Sequence, residues 1–263
     1  MWYNPRVGKR KEAEDLALYA IGDLHLHFGS ELKARGQRTD RLWRNHEERF
    51  RKNCAALIGP DDTLLLAGDH SWGKNDAECA PDFRYIEELP GHKVLLRGNH
   101  DMFWDAKKTE ALNRRFEGRL FFLQNNFYPF GRTALVGTKG FCFEGPFWLD
   151  RRGRLAGWDE EAKERADRLV EREAERLRQS FEAAREAGFH RYIMFLHYPP
   201  TSILERDSVF TRMAEEYGAG QVIYAHCHGE SRFHDSILGE KNGVRYSLVS
   251  GDYLNWTPQK ITD

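Results

Sequence analysis

Seven residues of metal-ligand type recur in this sequence directly after short apolar runs. They are two aspartates, one asparagine and four histidines: Asp23, His25, Asp69, Asn99, His197, His226 and His228. In an extended chain, side chains two residues apart point the same way, so the pairs at 23/25 and at 226/228 each converge. Mixed oxygen and nitrogen ligands favour Mn, Fe, Ni or Zn over Ca or Mg as the sole metals. The pattern indicates a transition-metal centre, the alternative being buried residues that merely form hydrogen bonds.

The apolar runs before these residues are rich in β-branched and aromatic side chains, which predicts strands. Five of them end at a ligand block: Leu16–Ile21, Thr63–Ala67, Val94–Leu96, Tyr192–Leu196 and Val222–Ala225. Two further strands are predicted at Thr133–Gly137 and Val244–Val249. Helical periodicity lies between them, most clearly over Asp159–Ala187, with Gly188 as a C-cap. Alternating strands and helices predict an α/β or α+β sheet packed between layers.

Charge and hydropathy exclude several classes of protein. The 40 Lys plus Arg nearly cancel the 41 Asp plus Glu, so a net charge of -1 provides no basic excess for nucleic acid. No apolar run approaches the roughly 20 residues that a membrane span needs. Residues 1–15 are polar, unlike a signal peptide, and the four cysteines form no CxxC pair, which together favour a reducing cytoplasmic location. We expect one domain over residues 16–263, preceded by a loosely attached leader at 1–15, with an exposed loop at 29–40.

Five blocks, taken in order, resemble the signature of the calcineurin-like metallophosphoesterases. They are Asp-Leu-His at 23–25, Gly-Asp at 68–69, Gly-Asn-His-Asp at 98–101, a lone histidine at 197 and His-Cys-His at 226–228. The family usually has glycine before the last block, where this chain has Ala225. Stretches such as LYAIGDLHLHFG and LVSGDYLNW further resemble a small bacterial subgroup of predicted phosphohydrolases. The resemblance implies a four-layer α/β/β/α sandwich and phosphoesterase activity.

The resemblance also implies two divalent transition-metal ions bridged by Asp69. One ion would be bound by Asp23, His25, Asp69 and His228, and the other by Asp69, Asn99, His197 and His226. Two ions roughly 3.5–4 Å apart clamp the attacking and leaving oxygens of an in-line displacement, and they lower the pKa of bound water to around 7. The implied reaction is hydrolysis of a phosphomonoester or phosphodiester by direct attack of a hydroxide bound to both ions.

Two further residues of the third block are implied in catalysis. His100 is expected to face the phosphoryl group, where it would stabilise charge and protonate the leaving alkoxide as a general acid. Asp101 follows directly, and a carboxylate commonly fixes the orientation of a neighbouring imidazole. We therefore expect His100 to be catalytic and Asp101 to orient it.

Other residues near the blocks have less specific signals. A contact with substrate and an ordinary structural role are both open for four residues: His27, His70, His234 and Lys139. Four aromatic residues could either line a substrate pocket or pack in the core: Trp72, Trp104, Phe141 and Trp148. Cys227 should point away from its neighbouring ligands by strand alternation. Solvent exposure is expected for His46, His92 and His190.

Two alternative functions remain open at this point. A nuclease would need a basic track for phosphate contacts, which the near-zero net charge does not favour. A non-catalytic, metal-binding interaction scaffold would suit the same ligands, although a scaffold would be expected to have lost some of them. A short chain without an appended recognition domain favours a small phosphorylated substrate over a polymer, and no membrane partner is expected.

Overall fold

A computed structural model describes residues 16–30 and 41–261 of the chain. The strands of the described part are β1 Leu18–Ile21, β2 Thr63–Leu66, β3 His92–Leu96, β4 Leu120–Leu123, β5 Phe127–Phe130, β6 Thr133–Thr138, β7 Phe147–Leu149, β8 Leu155–Trp158, β9 Tyr192–Leu196, β10 Ala219–Tyr224, β11 Gly239–Lys241, β12 Val244–Leu248 and β13 Gln259–Ile261. The helices are α1 His46–Leu57, α2 Asp76–Glu87, α3 Thr109–Arg115, α4 Glu160–Glu186 and α5 Val209–Tyr217, with 3₁₀ turns at Ala106–Lys108 and Glu230–Arg232. The predicted leader at 1–15 and most of the predicted loop at 29–40 lie outside the described residues.

The strands form two large sheets and one hairpin. The first sheet has the order β13-β1-β2-β3-β4, and the second has the order β11-β12-β10-β9-β6-β5. Strands β1 to β4 are parallel to one another, and so are β12, β10, β9 and β6. Strands β13, β11 and β5 pair antiparallel at the edges. The carboxyl ends of parallel strands meet at one edge of a sheet, which is where ligands bind in open α/β folds.

Successive side chains of the central strands enter two different cores. In β1, Leu18 and Ala20 join a cluster that also contains Phe195 and Ile223 of the second sheet, so this cluster fills the space between the sheets. The alternate residue Ile21 joins a second cluster with α1 and α2 on the outer face of the first sheet. A third cluster joins the second sheet to α4 and α5. The layers are therefore helix, sheet, sheet and helix, and the predicted single-domain α/β/β/α fold is confirmed.

The long helix α4 covers the outer face of the second sheet. Its first turn is capped by Asp159, whose side chain accepts a hydrogen bond from the N–H of Ala162 at 2.7 Å. Gly188 follows its last turn with a φ of 88°, a left-handed conformation that suits glycine. Leu177 and Phe181 lie on its inner face and are fully buried, each contributing roughly 1.5–3 kcal/mol. Neither α4 nor any other helix of residues 16–30 and 41–261 is long and apolar enough to cross a membrane.

Candidate metal centre

Four residues of the ligand blocks hold a left-handed backbone conformation that favours glycine. Their φ angles are 57° for Asp23, 46° for His25, 55° for Asp69 and 68° for His226. Such a conformation costs a non-glycine residue on the order of 1–3 kcal/mol, so neighbouring structure has to impose it. Here the N–H of Asp23 donates to the Gly68 carbonyl at 3.0 Å, and the N–H of His25 donates to the Asp69 carbonyl at 2.8 Å. Strain concentrated in this way is typical of functional sites.

Two glycines allow the blocks to approach one another. Gly68 has a φ of 96°, and a Cβ at this position would lie 2.3 Å from Nδ1 of His197. A Cβ at Gly98 would lie 2.1 Å from Oδ1 of Asp69. Any side chain at either position would therefore push apart the carboxylate and the imidazole. Glycine is therefore required before Asp69 and before Asn99, because a side chain at either position would clash with a residue of the centre.

Asp23, His25 and Asp69 form the first of two groups that could hold an ion. Their ligand atoms all lie within 4.8 Å of one another, and the three side chains are buried. Nε2 of His25 lies 3.6 Å from Oδ2 of Asp69, and among the described residues neither of these atoms, nor Nδ1 of His25, has a hydrogen-bond partner. A buried polar atom without a partner costs about 1–3 kcal/mol. This donor set therefore fits a divalent cation, which would satisfy the orphaned atoms.

Asp69, His197 and His226 form the second group, again within 4.8 Å of one another. Nε2 of His197 lies 3.4 Å from Oδ2 of Asp69 and 3.3 Å from Nδ1 of His226. The same nitrogen lies 2.8 Å from Oδ1 of Asn99. Nδ1 of His197 faces the Ala67 carbonyl at 2.9 Å, the type of contact that orients metal-binding histidines in proteins. Asp69 is common to both groups, as expected of a bridging ligand.

The charges of the two groups differ in the metal-free protein. Burial lowers the pKa of His25 to about 3 despite the neighbouring carboxylates, so this imidazole is neutral. Burial opposes the charged form of Asp69, but the interaction with His197 holds the pKa of that carboxyl well below its usual value. Burial also disfavours a charged His197, but Asp69 and Asp23 raise its pKa to about 9. A proton on His197 therefore partly balances the two buried carboxylates.

His228 and His100 lie beside the first group. The ring of His25 is 5.2 Å from that of His228 and 5.4 Å from that of His100. Trp72 stacks on His25 at 4.8 Å and also contacts the His100 ring at 4.3 Å. The backbone N–H of His100 donates to Oδ1 of Asp69 at 2.8 Å. The structure thus brings all seven predicted ligands and His100 to one edge of the fold.

Asp101 contacts backbone groups of the second and third blocks. Its Oδ2 accepts hydrogen bonds from the N–H of Gly98 at 2.7 Å and of Asp69 at 3.0 Å. Its Oδ1 accepts from the N–H of His70 at 2.8 Å. These contacts show that the Asp101 carboxylate joins the loops after β2 and β3. Orientation of His100 by Asp101 stays a prediction.

His46 contradicts the expectation that it is solvated. It is 2% exposed, and its ring nitrogens lie 3.0 Å from the Trp43 carbonyl and 2.9 Å from the Leu24 carbonyl. The ring thereby joins α1 to the loop between Asp23 and His25. His46, Phe50 and Cys54 recur every four residues and are all buried in α1, so the spacing itself indicated burial of His46, because residues on an apolar helix face are buried together.

The less specific candidates divide between core and edge. Trp104 is 1% exposed and packs in the outer core, so the pocket-wall alternative is wrong for it. Cys227 packs among the helix-side apolar residues, as predicted. His70 is buried, and its Nε2 lies 2.8 Å from the Leu96 carbonyl. Burial lowers the pKa of Lys139 to about 8, and its ammonium lies 4.7 Å from the Tyr198 ring centroid.

The remaining candidates are near the surface or beside the ligands. His27 is buried and its Nδ1 lies 3.3 Å from the His25 carbonyl. Phe141 lies beside Lys139. Four other candidates are exposed: Trp148, His92, His190 and His234. Solvent exposure was therefore correct for His92 and His190. Substrate contacts of His27, His70, His234 and Lys139 stay predictions.

Two acidic residues beside the centre were missed by the sequence analysis. Glu144 lies in the loop after β6, with its carboxylate oxygens 3.1 and 3.2 Å from Nε2 of His226. Burial raises the pKa of this carboxyl, but hydrogen bonds from His226 and Arg232 outweigh burial and lower it to about 2. Asp252 is buried and accepts a hydrogen bond from the N–H of Gly229 at 2.6 Å. Asp252 follows a strand and a glycine, as Asp23 and Asp69 do, so its pattern was available, whereas Glu144 has no sequence signal.

A four-layer sandwich with clustered aspartates and histidines at the carboxyl ends of its strands is the architecture of metal-dependent phosphoesterases. The sequence matches the calcineurin-like phosphoesterase family over residues 16–230, and the chain belongs to that family. The family uses divalent metal ions. None of the curated proteins matches this sequence.

Several solved structures are similar in fold. The phosphopantetheinyl hydrolase from Mycobacterium tuberculosis has a TM-score of 0.53 and 15% identity, over 93% of this chain and 95% of that chain. A protein of unknown function from Aquifex aeolicus has a TM-score of 0.47 and 13% identity, over 94% and 96%. The 5'-nucleotidase precursor from Thermus thermophilus has a TM-score of 0.38 and 13% identity, over 86% and 43%. At these identities, the likeness to the Mycobacterium tuberculosis protein shows the fold alone.

Proposed function

We propose that this protein hydrolyses a phosphomonoester or phosphodiester with two divalent transition-metal ions bound at its candidate metal centre. The observation that carries the proposal is the pair of buried groups that share Asp69 and contain orphaned ligand atoms. A carboxylate common to two groups is the natural ligand to hold two ions close together. Membership of the calcineurin-like phosphoesterase family supports the same reaction class.

The positions of the side chains support the ligand sets that the family resemblance implies. Asp23, His25, Asp69 and His228 would hold one ion, and Asp69, Asn99, His197 and His226 would hold the other. Ions bound there would supply Lewis acidity toward the phosphoryl oxygens and would lower the pKa of bound water to about 7, so that no side-chain base would be needed. The neutral ring of His25 needs no deprotonation, whereas His197 must first lose its proton.

His100 is proposed to act on the phosphoryl group and not as a ligand. Its backbone is fixed to Asp69, and its ring is packed against Trp72 and His25. In that position the imidazole would donate a hydrogen bond to a phosphoryl oxygen and deliver a proton to the departing alkoxide. Its backbone sits in the loop that Asp101 joins to the second block, so the same carboxylate would limit movement of His100.

The substrate is proposed to be a small phosphorylated molecule. The net charge of -1 does not favour binding along a nucleic acid, because neutralising several phosphates requires clustered Lys and Arg. Two bound divalent cations would instead place positive charge locally in the cleft. An anion can therefore be attracted to the centre of a protein whose total charge is close to zero.

The test is activity of the purified protein after removal and return of metal. The protein is treated with EDTA, dialysed, and assayed with added Mn²⁺ on p-nitrophenyl phosphate and on its bis ester. We expect turnover that depends on metal. On an alkyl phosphate, whose alkoxide needs a proton to leave, His100→Asn should lower kcat by at least about 100-fold, typical of a general acid. Asp69→Asn should remove metal binding as well as activity.

The matched control is His92→Asn, which changes an exposed histidine at the amino end of β3. This variant should retain full activity. If neither ester is hydrolysed with any divalent transition metal, and Asp69→Asn leaves metal content unchanged, the proposal is wrong. Metal content near two ions per chain without activity on a broad panel of phosphoesters would instead favour the scaffold function.

A further inference from the structure

Exposed apolar side chains are concentrated at the edge of the fold that carries the metal centre. Among the described residues, eight large hydrophobic side chains are exposed, from 38% for Tyr253 to 68% for Met102. Seven of them lie in connections that follow the carboxyl ends of β1, β3, β6, β9 and β12. The exception is Leu57, at the end of α1. Apolar exposure is therefore not scattered evenly over the described surface.

We use the name apolar rim for one exposed residue from each of the five connections: Phe28, Met102, Trp148, Ile203 and Tyr253. Chain length limits their distance from the centre, because each residue extends the chain by at most about 3.6 Å. Met102 is two residues after His100, which places their Cα atoms within about 7 Å. By the same limit Phe28 lies within about 11 Å of His25. These two members of the apolar rim therefore lie close to the centre.

The hairpin β7–β8 carries the largest member of the apolar rim. Glu144, which contacts His226, lies four residues before Trp148, so the hairpin starts at the centre. Trp148 pairs with Gly157, and a Cβ at Gly157 would lie 2.8–2.9 Å from indole atoms. One side of the indole thus packs on the glycine backbone, while the side chain remains 53% exposed. An indole held in this way presents a preformed apolar surface.

The tip of the same hairpin is basic. Asp150 is bound by Arg154 through its side chain, which neutralises that pair. Arg151 and Arg152 are exposed beside it. The hairpin that follows Glu144 therefore combines exposed apolar side chains with positive charge. These two properties complement a ligand that has an anionic end and an apolar end.

We propose that the substrate is a soluble phosphoester whose alcohol carries an extended apolar or aromatic group. This inference rests on the proposed function, because a phosphoryl group bound at the metal centre directs the rest of the ester outward past the apolar rim. That part of the substrate leaves the cleft between five connections that expose Phe, Met, Trp, Ile and Tyr side chains. Burial of apolar surface against them would strengthen binding without changing the chemistry of the ester.

The test is a series of n-alkyl phosphates from ethyl to octyl, assayed below their micelle concentrations with the metal-loaded protein. Leaving-group chemistry is constant along this series, so a change in kcat/KM reports contact with the chain. We expect kcat/KM to rise with each added methylene, by at most about fourfold, the factor that corresponds to 0.8 kcal/mol per buried CH₂. The increase in kcat/KM should come from a lower KM, with kcat nearly constant.

Variants of the apolar rim locate the contact. Trp148→Ala and Met102→Ser should each flatten the dependence on chain length, measured within each variant as the ratio of kcat/KM for octyl phosphate to that for ethyl phosphate. Leu57→Ala is the control, since it removes an exposed apolar side chain from the end of α1, outside the five connections. It should leave the dependence unchanged. Binding of octylphosphonate, measured by calorimetry, should weaken in the same two rim variants only.

The outcomes separate this inference from the proposed function. Hydrolysis of p-nitrophenyl phosphate together with a flat alkyl series would overturn the inference and leave the function in place. No turnover of any ester would overturn both. If kcat/KM depends equally on alkyl length in Trp148→Ala and in Leu57→Ala, the alkyl group of the substrate lies elsewhere, which also overturns the inference. A flat series with cosedimentation on anionic vesicles would assign the rim to a lipid surface instead.

Discussion

Binding of a divalent ion to the metal-free protein should release a proton from His197 at pH 7. Burial disfavours the imidazolium, but the carboxylates of Asp69 and Asp23 raise the pKa of His197 to about 9. Nε2 of His197 faces Oδ2 of Asp69 at 3.4 Å, so a bound ion needs this nitrogen in its deprotonated form. His25 makes no such contribution, because its pKa of about 3 leaves it neutral.

The magnitude follows from the difference between the pKa of His197 and the pH. At pH 7 the imidazole is about 99% protonated, so ion binding has to displace close to one proton. The apparent affinity should be about 100-fold below its limit at high pH, a difference on the order of 3 kcal/mol. It should rise about tenfold from pH 7 to pH 8. Calorimetric titration in buffers of different ionisation enthalpy measures the proton count directly.

Two controls test the assignment to this residue. His197→Asn should lower the proton count by about one, and His92→Asn, at an exposed position, should not change it. An apparent affinity that stays constant between pH 7 and pH 8 would refute the reasoning. Heats of binding that do not depend on the buffer would do so as well, since no proton would then leave the protein.

Three further predictions concern stability and the contacts around the centre. The pKa of His197 is raised in the folded state, so the protonated imidazole stabilises the metal-free protein below about pH 6.5. This stabilisation, on the order of 3 kcal/mol, is lost as pH rises through about 9. The Tm of the EDTA-treated protein should therefore fall between these two pH values. Glu144→Gln removes the charged acceptor at Nε2 of His226 and should weaken metal binding about 10–100-fold in chelator competition. A Cβ added by Gly22→Ala would lie 2.5 Å from the Cβ of Ala225, which should destabilise the fold by about 1–3 kcal/mol in thermal unfolding. Ala225→Gly should relieve part of that loss in the double variant.

Each of these predictions has a clear contrary result. A Tm of the metal-free protein that is constant between about pH 6.5 and 9 would contradict the first. Equal metal affinity of Glu144→Gln and of the control Glu117→Gln, at an exposed turn, would contradict the second. Strictly additive losses for the substitutions at 22 and 225 would contradict the third, because two Cβ atoms in contact must couple.

Much of the central architecture could be predicted because buried parallel strands are continuous apolar runs with abrupt ends. The strand predicted at Thr63–Ala67 is observed as Thr63–Leu66, and Tyr192–Leu196 matches its prediction at both ends. Alternate residues of these strands enter different cores, so both faces need apolar side chains. The ligands follow the carboxyl ends of these strands, which brings them to one edge of the fold. Extended-chain alternation does not describe how they meet there, because Asp23, His25 and His226 have left-handed backbone and His226 and His228 lie in different groups.

The edge strands and the surroundings of the centre could not be predicted in this way. β13 is Gln-Lys-Ile, and its pairing with β1 depends on the folded sheet and not on a local pattern. The hairpin β7–β8 is largely exposed, so it lacks the apolar run that marks a buried strand. Glu144 reaches His226 across 82 positions of sequence, a contact that only the tertiary fold creates.

The division of the centre between the two sheets has a consequence for the whole fold. Asp23, His25, Asp69 and Asn99 follow strands of the first sheet, whereas the histidines at 197, 226 and 228 follow strands of the second. Neither half of the chain would contain a complete binding site, so ions at the centre would act as a removable cross-link between the halves. Two fragments separated at the Asn125–Asn126 turn should accordingly reassemble better when metal is present, and chelation should release them.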